Sequence, residues 1–330
     1  MDANIQTNDW LTNEMKPRIS YFWQLGILLG LVIAGLILAG IIQFGFVLTM
    51  TDMKTLLSGD SKKLMAAMAL PENINKARCM QMFGTLAMMF IPAFAFAKIV
   101  SNQSLNYLGI TSKINIQQIG LVIVIALAAL ALSGGLGELN KLIPIPHKWE
   151  LKFKAMEDDY AEQVMILGNM KTFGDYIISL IMIAILPAVF EEFLFRGAMQ
   201  NLFTNWFKQH HIAIIFTAFC FSILHFSYYG FLPRMALGMI LGYIYFYGKS
   251  IWLNVLMHFI NNGIAITAMY VATSKGQSAK DVMDESYPLW IGAVALITVV
   301  GLMIVYKKIC DIKIILHNTI ENDIHSIGNN

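Results

Sequence analysis

Charge is what this chain of 330 residues has least of. Asp, Glu, Lys and Arg together make up 13% of it, against 57% hydrophobic residues. A soluble domain carries roughly 25% charged residues, so a water-exposed globule is excluded and the composition is that of a membrane protein. Cysteine is also scarce: Cys79, Cys220 and Cys310 form no C-x-x-C and lie in or beside apolar segments, as packing residues do rather than a disulfide framework. No basic cluster stands out either. With 23 basic against 21 acidic residues the formal charge is +2, which argues against a nucleic acid partner. The partners left are the lipid bilayer and membrane-associated peptides or proteins. The first 15 residues are polar, and the apolar run after them is too long for a signal-peptide core, so the N-terminus is expected to be retained.

Long apolar runs are what the chain does have. They mark eight spans, at 21–46, 80–100, 116–137, 175–191, 211–226, 232–247, 252–273 and 288–306. In lipid these must be helices, because an open strand leaves its backbone groups unsatisfied. The expected fold is therefore an all-α, polytopic transmembrane helical bundle, integral and multi-pass in a cell membrane. Its expected divisions are a three-span N-terminal region with a long connection (1–174), a core (175–275), and a last span with a polar tail (276–330). Lys and Arg are too evenly divided between alternating connections to fix orientation. The segment from Glu150 to Met170 interleaves charges with Leu151, Phe153, Met156 and Val164, and fits either an amphipathic surface helix or a solvated loop.

An ionisable residue inside a span costs about 2.5 to 3.5 kcal/mol on insertion scales. Such residues gather in the C-terminal half, at three places. In the segment from Leu186 to Gly197, Glu191 and Glu192 follow one apolar run and precede another. At 100° per residue the two carboxylates point to different sides of a helix. Glu192 and Arg196, four apart, can pair on one face, and Pro187 should kink the helix before them. Alone, this stretch also fits an interfacial helix end. His225 closes an apolar span with Phe221 one turn earlier. A histidine there also fits the core or the interface. His258 and Asn262 share one face near the middle of a span, with Asn254 a turn earlier. A polar stripe at that depth must face protein or water. Together, a glutamate, two histidines and an asparagine at similar depth make a hydrolytic set.

EEFLFR at 191–196, FSILH at 221–225 and HFINN at 258–262 match E-E-x-x-x-R, F-x-x-x-H and H-x-x-x-N in that order. The ordered triple resembles the Abi family of intramembrane proteases, also called the CAAX protease and bacteriocin-processing family, over roughly residues 175 to 275. The resemblance implies an endopeptidase in which Glu191, His225, His258 and Asn262 surround a catalytic water, with Glu192 and Arg196 in support. Its substrate would be membrane-associated: a prenylated protein, a leader peptide or another membrane protein.

The chemistry can also be read from the residues. Peptide hydrolysis needs a base for water and stabilisation of the oxyanion. Glu191 is the candidate base, His225 can orient the same water, and His258 with Asn262 would face the oxyanion. In a metal version, Glu191, His225 and His258 form a His2Glu set for a divalent ion such as zinc. H-E-x-x-H is absent. Gly248-Lys249-Ser250-Ile251 lacks the second glycine of G-x-S-G, and Phe173-Gly174-Asp175 lacks the first of G-x-G-D. Rival classes are a non-catalytic scaffold of the same fold, such as an immunity or regulatory protein, and a proton-coupled transporter. The transporter loses ground because no matching pair of broken helices marks two inverted halves.

Overall fold

A computed structural model describes residues 19–111, 113–168, 170–277 and 288–328, with side chains of the last helix described to residue 312. Among these residues the protein is all helix, with no strand. The polar N-terminal stretch expected to be retained lies outside the described residues.

In chain order the main elements are α1 (Tyr21–Leu48), the short α2 (Met53–Leu57) and α3 (Ser61–Met68), α4 (Ile74–Val100), the single turn α5 (Ser104–Tyr107), α6 (Ile116–Lys141), α7 (His147–Leu167), α8 (Phe173–Phe207), α9 (His210–Ile223), α10 (Phe231–Gly248), α11 (Ile251–Ser274) and α12 (Leu289–Gly328). All eight expected spans coincide with helices. Six of them, α1, α4, α6, α8, α11 and the Leu289–Ile312 part of α12, have the length and apolarity to cross a membrane, and the protein is an integral, multi-pass membrane protein. The remaining two are shorter. With 14 residues, α9 extends only about 21 Å, against a hydrocarbon thickness of about 30 Å.

Two expected boundaries are corrected. The span expected to end at 191 continues as α8 to Phe207, because Glu192 and Arg196 are wrapped in protein and do not need an aqueous end. The last helix likewise runs on past 306 to Gly328. The undecided segment from Glu150 to Met170 is largely helical, forming most of α7.

The kink expected at Pro187 takes a specific form. Immediately before it, Leu180–Ile185 is π-helical, and the wider turn removes the clash that a proline makes with the carbonyl four residues back. α4 repeats the device, with π-helical Leu86–Phe90 just ahead of Pro92. These two distorted helices meet through Phe90, whose ring lies 5.6 Å from that of Phe190 and 5.0 Å from that of Phe193.

Packing, not apolar burial, holds helices together in lipid, where the tails are as apolar as the side chains. Gly135 of α6 and Gly292 of α12 let their backbones touch: a Cβ on Gly135 would lie 2.4 Å from Gly292 Cα. On the outside, Ile33, Ile37 and Ile41 of α1 form an exposed stripe at helical spacing. Of four apolar clusters among the described residues, the two largest contain Leu241 with Met257 and Phe195 with Phe221. The polar residues singled out in the sequence lie at their junction.

Candidate active site

Glu191 and Glu192 stand on α8 between the π-helical turn that precedes Pro187 and a second π-helical stretch, Phe193–Gln200. Successive positions on a helix diverge by 100°, so one carboxylate turns inward while its neighbour faces the end of α9. Glu192 is the inward one, fully buried. Its Oε1 accepts from Arg196 Nη1 at 2.8 Å and from His258 Nδ1 at 2.7 Å, and its Oε2 accepts from Asn254 Nδ2 at 3.3 Å. Each buried carboxylate oxygen thus has a donor, which is the condition for tolerating charge away from water.

Arg196 is held through its two terminal nitrogens, while its buried Nε has no partner among the described residues. Nη2 donates to the Gly238 carbonyl at 3.1 Å, and the guanidinium carbon stands 4.9 Å from the centroid of Phe221. The expected Glu192–Arg196 pair is therefore present, and it reaches α10 as well as α11. Asn254 completes the lock by donating to Leu241 O at 2.6 Å. Its sequence signal was the polar face it shares with His258; that it binds Glu192 is a contact between helices and has no local signature.

Glu191 faces the two histidines. Its Oε2 lies 3.8 Å from His225 Nε2 and 3.8 Å from His258 Nε2. The hydrogen bonds fix which ring nitrogen carries the proton. His225 Nδ1 approaches the Phe221 carbonyl at 2.7 Å, and a carbonyl can only accept, so Nδ1 is the protonated atom. His258 Nδ1 approaches a carboxylate oxygen, with the same result. In the neutral form of each ring, Nε2 then carries the lone pair on the side of Glu191 Oε2, which is buried and has no hydrogen-bond partner among the described residues. Exposure falls from 25% for the His225 side chain to 13% for Glu191 and 5% for His258, so the opening is on the His225 side.

Three lone-pair atoms converging without a proton between them suit a cation or a hydrogen-bond donor. Orientation fits a divalent ion. The Nδ1 atoms are held by a carbonyl and a carboxylate, as the outer nitrogens of metal-bound histidines are. Spacing is looser. Donors on one zinc at about 2.0 to 2.2 Å lie roughly 3.3 to 3.5 Å apart, and among the described residues no three His, Cys, Asp or Glu side chains are set closely enough to chelate an ion as they stand. A contraction of about 0.4 Å would bring the Glu191–histidine distances into that range.

The structure thus brings together Glu191, Glu192, Arg196, His225 and His258. Asn262 lies half-buried on α11, one turn beyond His258, and no hydrogen bond joins its amide to the cluster among the described residues.

Sequence reading missed the roof over the opening. Because α9 is short, the chain turns at depth through Leu224–Gly230, with Phe226 in the left-handed region at φ 50°. Amphipathic α7 is fastened onto that turn. Ser227 Oγ donates to Glu157 Oε2 at 2.8 Å, and the Phe153 ring stacks on Tyr228 with centroids 4.8 Å apart. From α6, Asn140 donates to the Tyr228 carbonyl and accepts from Leu232 N.

Comparison with known proteins agrees with the motifs. Residues 173–264 match the Type II CAAX prenyl endopeptidase Rce1-like family, the CAAX protease group that the ordered triple resembles. That segment is just over a quarter of the chain and contains all six residues singled out. No curated protein and no solved structure matches the chain.

Proposed function

We propose that this chain is an intramembrane endopeptidase that hydrolyses a peptide bond of a membrane-associated substrate, with Glu191 as the base for the attacking water. Starting from the CAAX protease character of residues 173–264, the observation that carries the reading is the meeting of Glu191 Oε2 with both Nε2 lone pairs at 3.8 Å on the accessible side of the cluster.

In this reading Glu191 Oε2 takes a proton from water, which His225 Nε2 holds in position. The proton passes to His258 Nε2, turning that ring into a donor toward the developing oxyanion. Glu192, bonded to Nδ1, steadies the imidazolium charge without taking the proton itself. Arg196, donating to Oε1, holds the Glu192 carboxylate in place, and Asn262 supplies a neutral donor near the oxyanion. The proton then leaves with the amine product.

If the enzyme is metal-dependent, Glu191, His225 and His258 would hold the ion, which when bound would supply Lewis acidity and a more acidic water. The roles of Glu192, Arg196 and the Phe221 carbonyl are the same in both versions, since they fix the orientation of the rings.

The test is cleavage of membrane-tethered peptides by purified protein in liposomes. Wild type should give a discrete product, and Glu191→Ala should reduce its rate by at least about a thousandfold, the scale seen when a member of a hydrolytic unit is removed. Equal product from both proteins would end the protease proposal and favour a scaffold. Elemental analysis of zinc in wild type and in His225→Ala separates the versions: stoichiometric metal that the substitution abolishes supports ligation, and activity in a metal-free preparation removes it.

A further inference from the structure

Arg234 is a second cation beside the site, and it is placed quite differently from Arg196. It lies in the first turn of α10, where the helix dipole is positive and a cation is disfavoured. Its guanidinium carbon stands 5.6 Å from the Tyr160 ring centroid of α7. Gly230 makes room for it: a Cβ there would fall 1.8 Å from Nη1 and 2.7 Å from the guanidinium carbon. Nη1 is buried and has no hydrogen-bond partner among the described residues. The nearby Glu157 carboxylate takes the Ser227 hydroxyl on both oxygens, at 3.1 and 2.8 Å.

Burying an N–H of a charged group without an acceptor costs more than leaving a neutral one unpaired. Arg196 also keeps a buried Nε without a partner among the described residues, but both of its terminal nitrogens are satisfied, one by a carboxylate and one by a carbonyl. Arg234 has a shaped seat, an aromatic face, and an empty hand. Its seat belongs to the turn that follows His225: Gly230 N donates at 3.0 Å to the hydroxyl of Ser227, two residues beyond that histidine, the most exposed member of the cluster. A group entering past His225 therefore meets a guanidinium whose flat fork is matched to two oxygens on one carbon.

We propose that Arg234, seated on Gly230 and Tyr160, binds a carboxylate of the substrate at the opening of the site and sets which peptides are cleaved. This rests on the proteolytic reading above and adds the substrate's charge to it.

The experiment uses the full-length protein in neutral phosphatidylcholine liposomes, with three membrane-tethered peptides of one sequence free of other acidic residues: a C-terminal acid, the C-terminal amide, and the amide with one glutamate after the scissile bond. Wild type should favour a carboxylate-bearing peptide over the plain amide by about tenfold or more in kcat/KM, mainly through KM, as befits one charge-assisted contact. Arg234→Gln should bring that ratio close to one, and Arg234→Lys should keep part of it. Whether the acid or the glutamate peptide is favoured identifies the source of the carboxylate. A ratio near one in wild type, or one that Arg234→Gln leaves unchanged, overturns the proposal. So does an Arg234→Gln effect seen only when phosphatidylglycerol replaces the neutral lipid, since the ligand is then a headgroup phosphate.

Binding of the same peptides to Glu191→Gln, with and without Arg234→Gln, separates the two levels. A carboxylate preference in binding without any wild-type cleavage would retain Arg234 and remove the protease reading. Equal cleavage of all three peptides would do the reverse.

Discussion

His258 donates through Nδ1 to Glu192 Oε1 at 2.7 Å, and the same oxygen accepts from Arg196 at 2.8 Å. One carboxylate atom thereby orients a ring on α11 and neutralises a guanidinium on α8. Breaking a buried pair from one side costs about 3 to 5 kcal/mol, whereas replacing both partners costs far less. Glu192→Gln should therefore lower the melting temperature in detergent sharply, and Glu192→Gln with Arg196→Met should recover most of the loss. If the double substitution melts no higher than the single one, the pair is not what stabilises this junction.

Asn254 and Asn262, two turns apart on α11, should separate cleanly. Asn254 Nδ2 bonds Leu241 O and Glu192 Oε2, so Asn254→Ala should cost about 1 to 3 kcal/mol of stability. Asn262 has no such bonds among the described residues, so Asn262→Ala should leave melting unchanged and lower kcat by about a hundred- to a thousandfold if it serves the oxyanion. Calorimetry and turnover on the same preparations decide this. Unchanged kcat in Asn262→Ala would take that residue out of the reaction.

The Gly135–Gly292 crossing leaves no room for a side chain. A methyl at position 135 must push α6 and α12 apart, and Gly135→Ala should cost about 1 to 3 kcal/mol, with Gly135→Leu worse. Unfolding in mixed micelles measures it. A variant as stable as wild type would show that these helices are not in contact in the membrane.

Between α10 and α11, burial pushes the Lys249 ammonium down to about 8 from its ordinary 10.5. Between those two values the unfolded chain holds more protons than the folded one, so stability must rise with pH there and level off below about 8. Melting temperature should climb from pH 8 toward pH 10, and Lys249→Met should flatten the climb. Parallel curves for the two proteins would mean that another group is responsible.

What the sequence reveals here is what is local. Apolar length places the helices of all eight spans but not α2, α3, α5 or α7, and a spacing of four residues suffices for Glu192 with Arg196 and for His258 with Asn254. The end of α8 is not legible, because charges at 191, 192 and 196 look like an aqueous boundary until Gly238, Asn254 and His258 are seen to wrap them. The roof is hidden for the same reason. Ser227 and Glu157 are 70 residues apart, and no periodicity within either segment announces the other. Arg234 reads as an ordinary residue at a helix start until its buried Nη1 is found without an acceptor.

The brevity of α9 has a consequence for the bilayer as an insulator. The histidine that follows it is a quarter exposed, while Phe195, Leu202, Ile214 and Leu241 deeper in the bundle are fully buried. On the proteolytic reading, water would reach the scissile bond and leave by the same door, so a hydrolase built this way would work in a blind alley without short-circuiting the ion gradients across the membrane.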